Sequence, residues 1–295
     1  MSIISEMLGC RYPVIQGAMG VISNLELVSA VSEAGGFGQL ATAFATDPEA
    51  VREQIRATRQ LTDKPFGANL HAMNPLAPQF AQIMAEEDVA AVTVSGGSPK
   101  ELVPLLHRHS IKVIVVVPAV SVARKAESLG VDAIVAEGSE SGGMQGFNGA
   151  STLVLVPAVV DAVKVPVIAA GGIGDSRGYK AALALGAQGV QIGTRFIATQ
   201  ECIAHANYKN YIIDSPENST RLVNMGRFQV RALNTPLVEQ MMDKENSLDT
   251  TAGASLEDAW VKGDLAAGTL PAGQVSGLIS RILSVREVIE KMIGR

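Results

Sequence analysis

Apolar residues in this chain come in short blocks, each followed by a small polar or glycine loop and then by a helix-patterned stretch. Eight such blocks precede residue 200, at 12–17, 36–43, 65–70, 90–97, 112–119, 133–139, 165–173 and 189–196. Most are continuous and β-branched rather than alternating, the pattern of parallel strands covered on both faces. The helices between them have readable ends. Asn24 is placed to cap a helix with Leu27, Val28, Val31 and Ala34 on one face, stopped by Gly35 and Gly36. Asp47-Pro48 and Ser98-Pro99 set a capping residue before a proline at the first helical position. Gly130 and Gly186 stand as C-terminal stops. Eight strands alternating with helices predict an α/β fold, a closed (β/α)8 TIM barrel, in preference to a doubly wound open sheet.

After the eighth block the pattern breaks. Residues 200–267 are polar, rich in Asn, Met, Asp and Glu, and show no strand signal, which predicts a small helical insertion or lid. Residues 277–293 are amphipathic again, with Leu278, Ile282, Val285, Ile289 and Met292 on one face, as expected of a helix returning to the barrel. The expected division is a barrel over 1–199, a lid over 200–267 and the returning helix within 268–295.

Composition narrows the function. With 295 residues and 47% hydrophobic, the chain supplies one large core. A net charge of −5 without a basic run makes a nucleic-acid partner unexpected. No apolar run is long enough to span a bilayer. The opening Met-Ser-Ile-Ile-Ser-Glu-Met lacks the pattern of a secretory signal, so a cytoplasmic location is expected. Cys10 and Cys202 are far apart and show neither metal-ligand spacing nor a disulfide framework.

In such a barrel the reactive groups lie on the loops after the strands. Those loops are glycine-rich and poor in charge, which lets backbone N–H groups approach a planar cofactor and its phosphate. Gly171-Gly172 after the seventh strand and Gly193-Thr194 after the eighth form the strongest pair, since barrel enzymes commonly build phosphate sites there. Tight strand-to-helix turns would leave the same signature in either loop alone.

The segments Pro13 to Met19, Ala30 to Gly36, Thr62 to Asn69, Ala136-Glu137-Gly138 with Ser141-Gly142-Gly143, Pro166 to Ile173 and Gly193 to Phe196 carry a resemblance. It continues through Asn207-Tyr208-Lys209 to Ala272-Gly273-Gln274 and Gly277-Leu278. The chain resembles the 2-nitropropane dioxygenase, or nitronate monooxygenase, superfamily, and within it the flavin-dependent (class II) enoyl-acyl-carrier-protein reductases. The resemblance implies non-covalent FMN. It places Gly17, Ala18, Met19 and Asn69 along the flavin ring, Glu137, Gly142 and Gly143 beside the ring or ribityl chain, and Gly171, Gly172, Gly193 and Thr194 at the phosphate.

One departure matters. Relatives usually carry Gly-Gly-His where this chain reads Gly142-Gly143-Met144, and that histidine is the expected proton-transfer residue. A thioether carries no proton near neutral pH. Three readings follow: His71 supplies the proton, solvent does, or the chemistry is lost and the protein is a non-catalytic or electron-transfer flavoprotein. His107 and His109 are expected on the surface, and His205 in a structural place. Met73, Met84, Met241 and Met242 are expected in core or lid packing. Tyr208 and Lys209 read as a solvated helix start, with orientation of a substrate headgroup as the alternative.

Glu137 stands where the monooxygenases tend to carry Gln and the enoyl reductases Glu. The expected activity is therefore reduction of an α,β-unsaturated acyl thioester by NADH or NADPH through FMN, with nitronate oxidation by flavin and O₂ as the alternative. Acyl carrier protein and a second copy of the chain are open as partners. A purine-nucleotide dehydrogenase needs a nucleophilic cysteine in an active-site loop, and neither cysteine is so placed.

Overall fold

A computed structural model describes residues 2–146, 149–243 and 255–295. The eight apolar blocks form eight parallel strands: β1 (Val14–Gln16), β2 (Gln39–Ala41), β3 (Gly67–His71), β4 (Ala91–Ser95), β5 (Lys112–Val117), β6 (Ala133–Glu137), β8 (Val167–Ala170) and β9 (Gly189–Ile192). Each pairs with its neighbour from β2 round to β9, and β9 pairs with β1. The last gap closes through a parallel bridge between Ile15 and Phe37, where the Gln16 amide donates to the Phe37 carbonyl at 2.9 Å. The barrel expected from the sequence is the observed fold.

Continuous apolar runs fit because each strand faces two cores. Val113, Val115 and Val117 point out to the helices, while Ile114 joins Ile15, Phe37, Ala133, Val135 and Ile168 inside the barrel. Ile4 and Leu8 on the helix Ile3–Leu8 close the interior at its N-terminal end, and Cys10 packs with them, away from the strand C-termini. Asp47 accepts from the Glu49 amide and caps its helix as expected. Ser98 accepts from the Lys100 amide at 3.4 Å, although the regular helix begins only at Leu102. Asn24 precedes its helix but turns its amide to Glu26 and to the Glu201 carbonyl.

Two expectations are corrected beyond the barrel. Within 200–267 the helices Ala206–Ile213, Pro236–Asp243 and Leu256–Trp260 are accompanied by a hairpin, β10 (Thr220–Asn224) and β11 (Gln229–Leu233). The hairpin adds β7 (Gly143–Gln145) to make a three-stranded antiparallel sheet. Each strand is short and carries a polar residue beside its apolar ones, Arg221 on β10 and Arg231 on β11. The stretch 244–254 of the expected lid lies outside the described residues. The returning helix is shorter than expected, Val285–Met292, because Ser284 and Glu287 form a reciprocal capping box. Leu278 sits before it in a 3₁₀ turn and is exposed. No described helix is long and apolar enough to cross a membrane.

Candidate active site

Alternation along the strands builds the site. The inward positions turn from apolar to polar toward the C-terminal end: Ala133, Val135, Glu137 on β6; Ala91, Thr93, Ser95 on β4; Gly67, Asn69, His71 on β3. Thr93 and Asn69 bond into one layer with Gln39 and Gln191. Thr93 Oγ1 donates to Gln39 Oε1 at 2.7 Å, Gln39 Nε2 donates to Gln191 Oε1 at 3.2 Å, and Asn69 Nδ2 donates to Thr93 Oγ1 at 3.0 Å. Above the layer opens a cavity of about 850 Å³, within the range of small-molecule and cofactor sites.

The residues named from sequence come together there. Gly17, Ala18 and Met19 reach the cavity from the end of β1, Asn69 and His71 from β3, and Glu137 from β6. Gly142, Gly143 and Met144 enter from the loop after β6, and Gly171, Gly172, Gly193 and Thr194 from the ends of β8 and β9.

The last two loops bring unbonded backbone amides to the cavity. Gly171 (φ +98°) and Gly172 (φ +71°) both hold the left-handed backbone that glycine alone takes without strain. Such successive turns aim amides at one point. Among the described residues, no acceptor bonds the amides of Gly171, Gly172, Gly193 or Thr194. Gly142 packs so closely that a Cβ there would lie 2.5 Å from the Ala272 carbonyl carbon. Thr194 Oγ1 accepts from the Gly273 amide at 2.9 Å, which ties the loop after β9 to the C-terminal segment. Glu140 does not compete for these amides, since its carboxylate is occupied by the amide and hydroxyl of Thr152. Unbonded amides facing a cavity, with no acid free among them, fit a phosphate-bearing cofactor.

The cavity's described lining holds four titratable side chains: His71, Lys125, Glu137 and Tyr208. Tyr208 is buried, and its hydroxyl donates to the Pro271 carbonyl at 2.5 Å. Lys125 is exposed on a helix at the rim. Partial burial lowers the His71 pKa and holds the ring neutral at neutral pH. Its ring packs over Gly96, where a Cβ would fall 2.2 Å from Nε2.

Burial pushes the Glu137 carboxyl up from an ordinary 4.5 to about 7, opposed only in part by the Ser141 hydroxyl. Folding of the flavin-free protein therefore favours neutral Glu137. That contribution is complete below pH 4.5 and is lost as pH rises through about 7. Glu137→Gln is expected to leave stability almost unchanged near pH 4.5 and to raise it by about 3 kcal/mol near pH 8.5. Urea melts of the flavin-free proteins at both pH values check this, and an equal difference at both would contradict it.

Met144 is 42% exposed and faces the cavity with no proton to offer. His107 and His109 lie on the outer surface, His107 Nε2 being 2.8 Å from Asp132 Oδ2. His205 caps the helix Ala206–Ile213. Met84 is core, whereas Met73 is exposed at the cavity and Met242 is exposed as well. Tyr208 and Lys209 are not a solvated helix start: both are buried, and Lys209 Nζ donates to the carbonyls of Thr199 at 2.7 Å and Cys202 at 2.6 Å. Sequence reasoning missed Gln39, Thr93 and Gln191, which period-two alternation within the runs would have revealed. It also missed Met225, Phe228 and Val230, which the hairpin brings to the cavity.

A family model described as nitronate monooxygenase matches residues 1–294. FabK from Thermotoga maritima superposes with a TM-score of 0.94 at 38% identity, covering 99% of this chain and 95% of that one. A (3aS,4S,5R,7aS)-5-hydroxy-7a-methyl-1-oxo-octahydro-1H-indene-4-carboxyl-CoA dehydrogenase of Rhodococcus jostii is 32% identical over 99% of this chain and 94% of its own. A probable nitronate monooxygenase of Staphylococcus aureus is 32% identical over 83% of this chain and 81% of its own.

Proposed function

Since the chain belongs to the nitronate monooxygenase family and is a flavin-dependent oxidoreductase, we propose that it holds FMN in this cavity and uses NADH or NADPH to reduce α,β-unsaturated acyl thioesters. The observation that carries the reading is Glu137, an acid in the cavity lining at the place where the monooxygenases tend to carry Gln and the enoyl reductases Glu. Met144 is compatible with it, since hydride delivery to an activated double bond leaves a carbanion that water can protonate. The likeness to FabK, a class II enoyl-acyl-carrier-protein reductase, supports the same choice.

When bound, FMN supplies hydride exchange between a nicotinamide and the β-carbon of the enoyl group. The amides of Gly171, Gly172, Gly193 and Thr194 would hold its phosphate, and the helix Thr194–Ile197 begins at that point. Gly17, Ala18 and Met19 with Asn69 would border the ring. Glu137, about half of it neutral near pH 7, would in that form donate a hydrogen bond to the ribityl chain or ring. The layer beneath spends its bonds within itself and keeps the floor rigid. The proton for the α-carbon comes from water entering the cavity or from the protonated form of the His71 ring, which returns to neutral imidazole. The thioester carrier is a coenzyme A or acyl-carrier-protein arm.

The test is anaerobic oxidation of NADH or NADPH by purified, FMN-loaded protein with a 2-enoyl thioester. Turnover supports the reading. Consumption of O₂ with an alkyl nitronate, in place of that turnover, would replace it with nitronate oxidation. Neither activity, with flavin bound, would leave an electron-transfer role.

A further inference from the structure

Met144 belongs to a surface of its own. The strand that carries it, β7, is outside the barrel and joined to the hairpin, and Met144 stands directly opposite Val230 in that register. Opposed residues of an antiparallel pair share a face, and both line the cavity. Met225 and Phe228 flank the hairpin turn, closed by the Met225 amide donating to the Phe228 carbonyl at 2.9 Å, and they line it too. We propose that this sheet is the substrate-facing wall, and that Met144, Met225, Phe228 and Val230 select 2-enoyl thioesters with a sizeable apolar group beyond the double bond. The proposal rests on the reductase reading above.

The chemistry of the wall favours such a group. Among the described residues, none of the titratable side chains lining the cavity lies on this sheet. Gln145, its polar member at the cavity, donates its amide to the Ser141 carbonyl at 2.8 Å. No charged side chain of the hairpin lines the cavity: Arg231 is bonded to Ser139 and Thr220, and Arg227 at the turn is exposed. An alkyl or alicyclic group gains from burial, by about fourfold in affinity per methylene covered. Methionine suits this work because its unbranched thioether adapts to irregular apolar shapes.

The wall is also held in place. Arg231, buried on β11, donates from Nε to the Ser139 carbonyl at 2.8 Å and from Nη1 to Thr220 Oγ1 at 3.1 Å. The Leu233 amide donates to the Leu270 carbonyl at 2.9 Å. The bond to Ser139 fixes the foot of the hairpin to the loop that follows Glu137, and the bond to Leu270 fixes it to the C-terminal segment. At position 144 the side chain meets the substrate's apolar part, and no proton passes through it.

The experiment compares the FMN-loaded wild type with the double variant Met225→Ala/Phe228→Ala. Substrates are trans-2-enoyl-N-acetylcysteamine thioesters from butenoyl to decenoyl. Wild-type kcat/KM is expected to climb tenfold or more along the series, and the variant to lose most of that climb. A second reading, independent of turnover, is calorimetric binding of saturated decanoyl-N-acetylcysteamine, whose Kd is expected to rise about tenfold in the variant. Phe228→Gln, a single change at the hairpin tip, serves if the double variant fails to fold. Turnover with unchanged length dependence and unchanged Kd in the variants overturns the wall. Loss of decanoyl binding in the variants, when the wild type reduces no enoyl thioester at all, sustains the wall and removes the reductase reading instead.

Discussion

Gly171→Val protein is expected to purify colourless. At φ +98° a branched side chain is strained wherever it points. Space is lacking as well: the Cβ would fall 2.8 Å from the Gly138 carbonyl oxygen and 2.9 Å from Thr152 Oγ1. Both atoms are engaged, Thr152 Oγ1 in bonds to Glu140 and Gly171, so neither has an easy retreat. The backbone must turn, and the amides of Gly171 and Gly172 then no longer meet those of Gly193 and Thr194. Strain of about 3 kcal/mol falls on the phosphate site, a loss of over a hundredfold in FMN affinity. Fluorescence titration with FMN checks it, and wild-type affinity in this variant would show that the phosphate is held elsewhere.

Lys209→Met should be the most destabilising single change outside the barrel core. The ammonium is buried, and burial draws its pKa down, yet it donates to two carbonyls of the loop that leaves β9. Methionine keeps the length of the chain and leaves the Thr199 and Cys202 oxygens without a donor. Orphaned buried acceptors cost about 3 kcal/mol together, or a fall in Tm of roughly 6 °C for a domain of this size. A thermal melt reads this directly, and a change within about 1 °C would mean that water takes over both bonds.

The barrel was legible because each strand lies between two apolar cores, so its run of Val, Ile and Ala carries the signal with no knowledge of its partners. The glycines of the loops after β8 and β9 were legible for a different reason. Left-handed turns after β8 leave little choice of residue, and their position along the chain names the end of the barrel they occupy. Lys209 was not legible. Its partners are backbone carbonyls, which have no sequence signature, and a lysine early in a helix reads as solvated. The hairpin was hidden by its setting, two five-residue strands within a stretch rich in Asn, Met, Asp and Glu. Arg231 is inside the fold, bonded to Ser139 and Thr220, and looks exposed only when its partners are unknown. The inward polar layer lay within reach, since Gln39, Thr93 and Gln191 break apolar runs on the inner face of their strands.

The most direct measurement is anaerobic stopped-flow absorbance of the flavin with the two half-reactions separated. Mixing FMN-loaded protein with NADH or NADPH should bleach the flavin band within the time of one turnover. Adding a 2-enoyl thioester should then restore the colour, and should do so faster than O₂ does. A flavin that neither nicotinamide bleaches, or one that O₂ reoxidises while the enoyl thioester leaves it reduced, would contradict the reductase assignment.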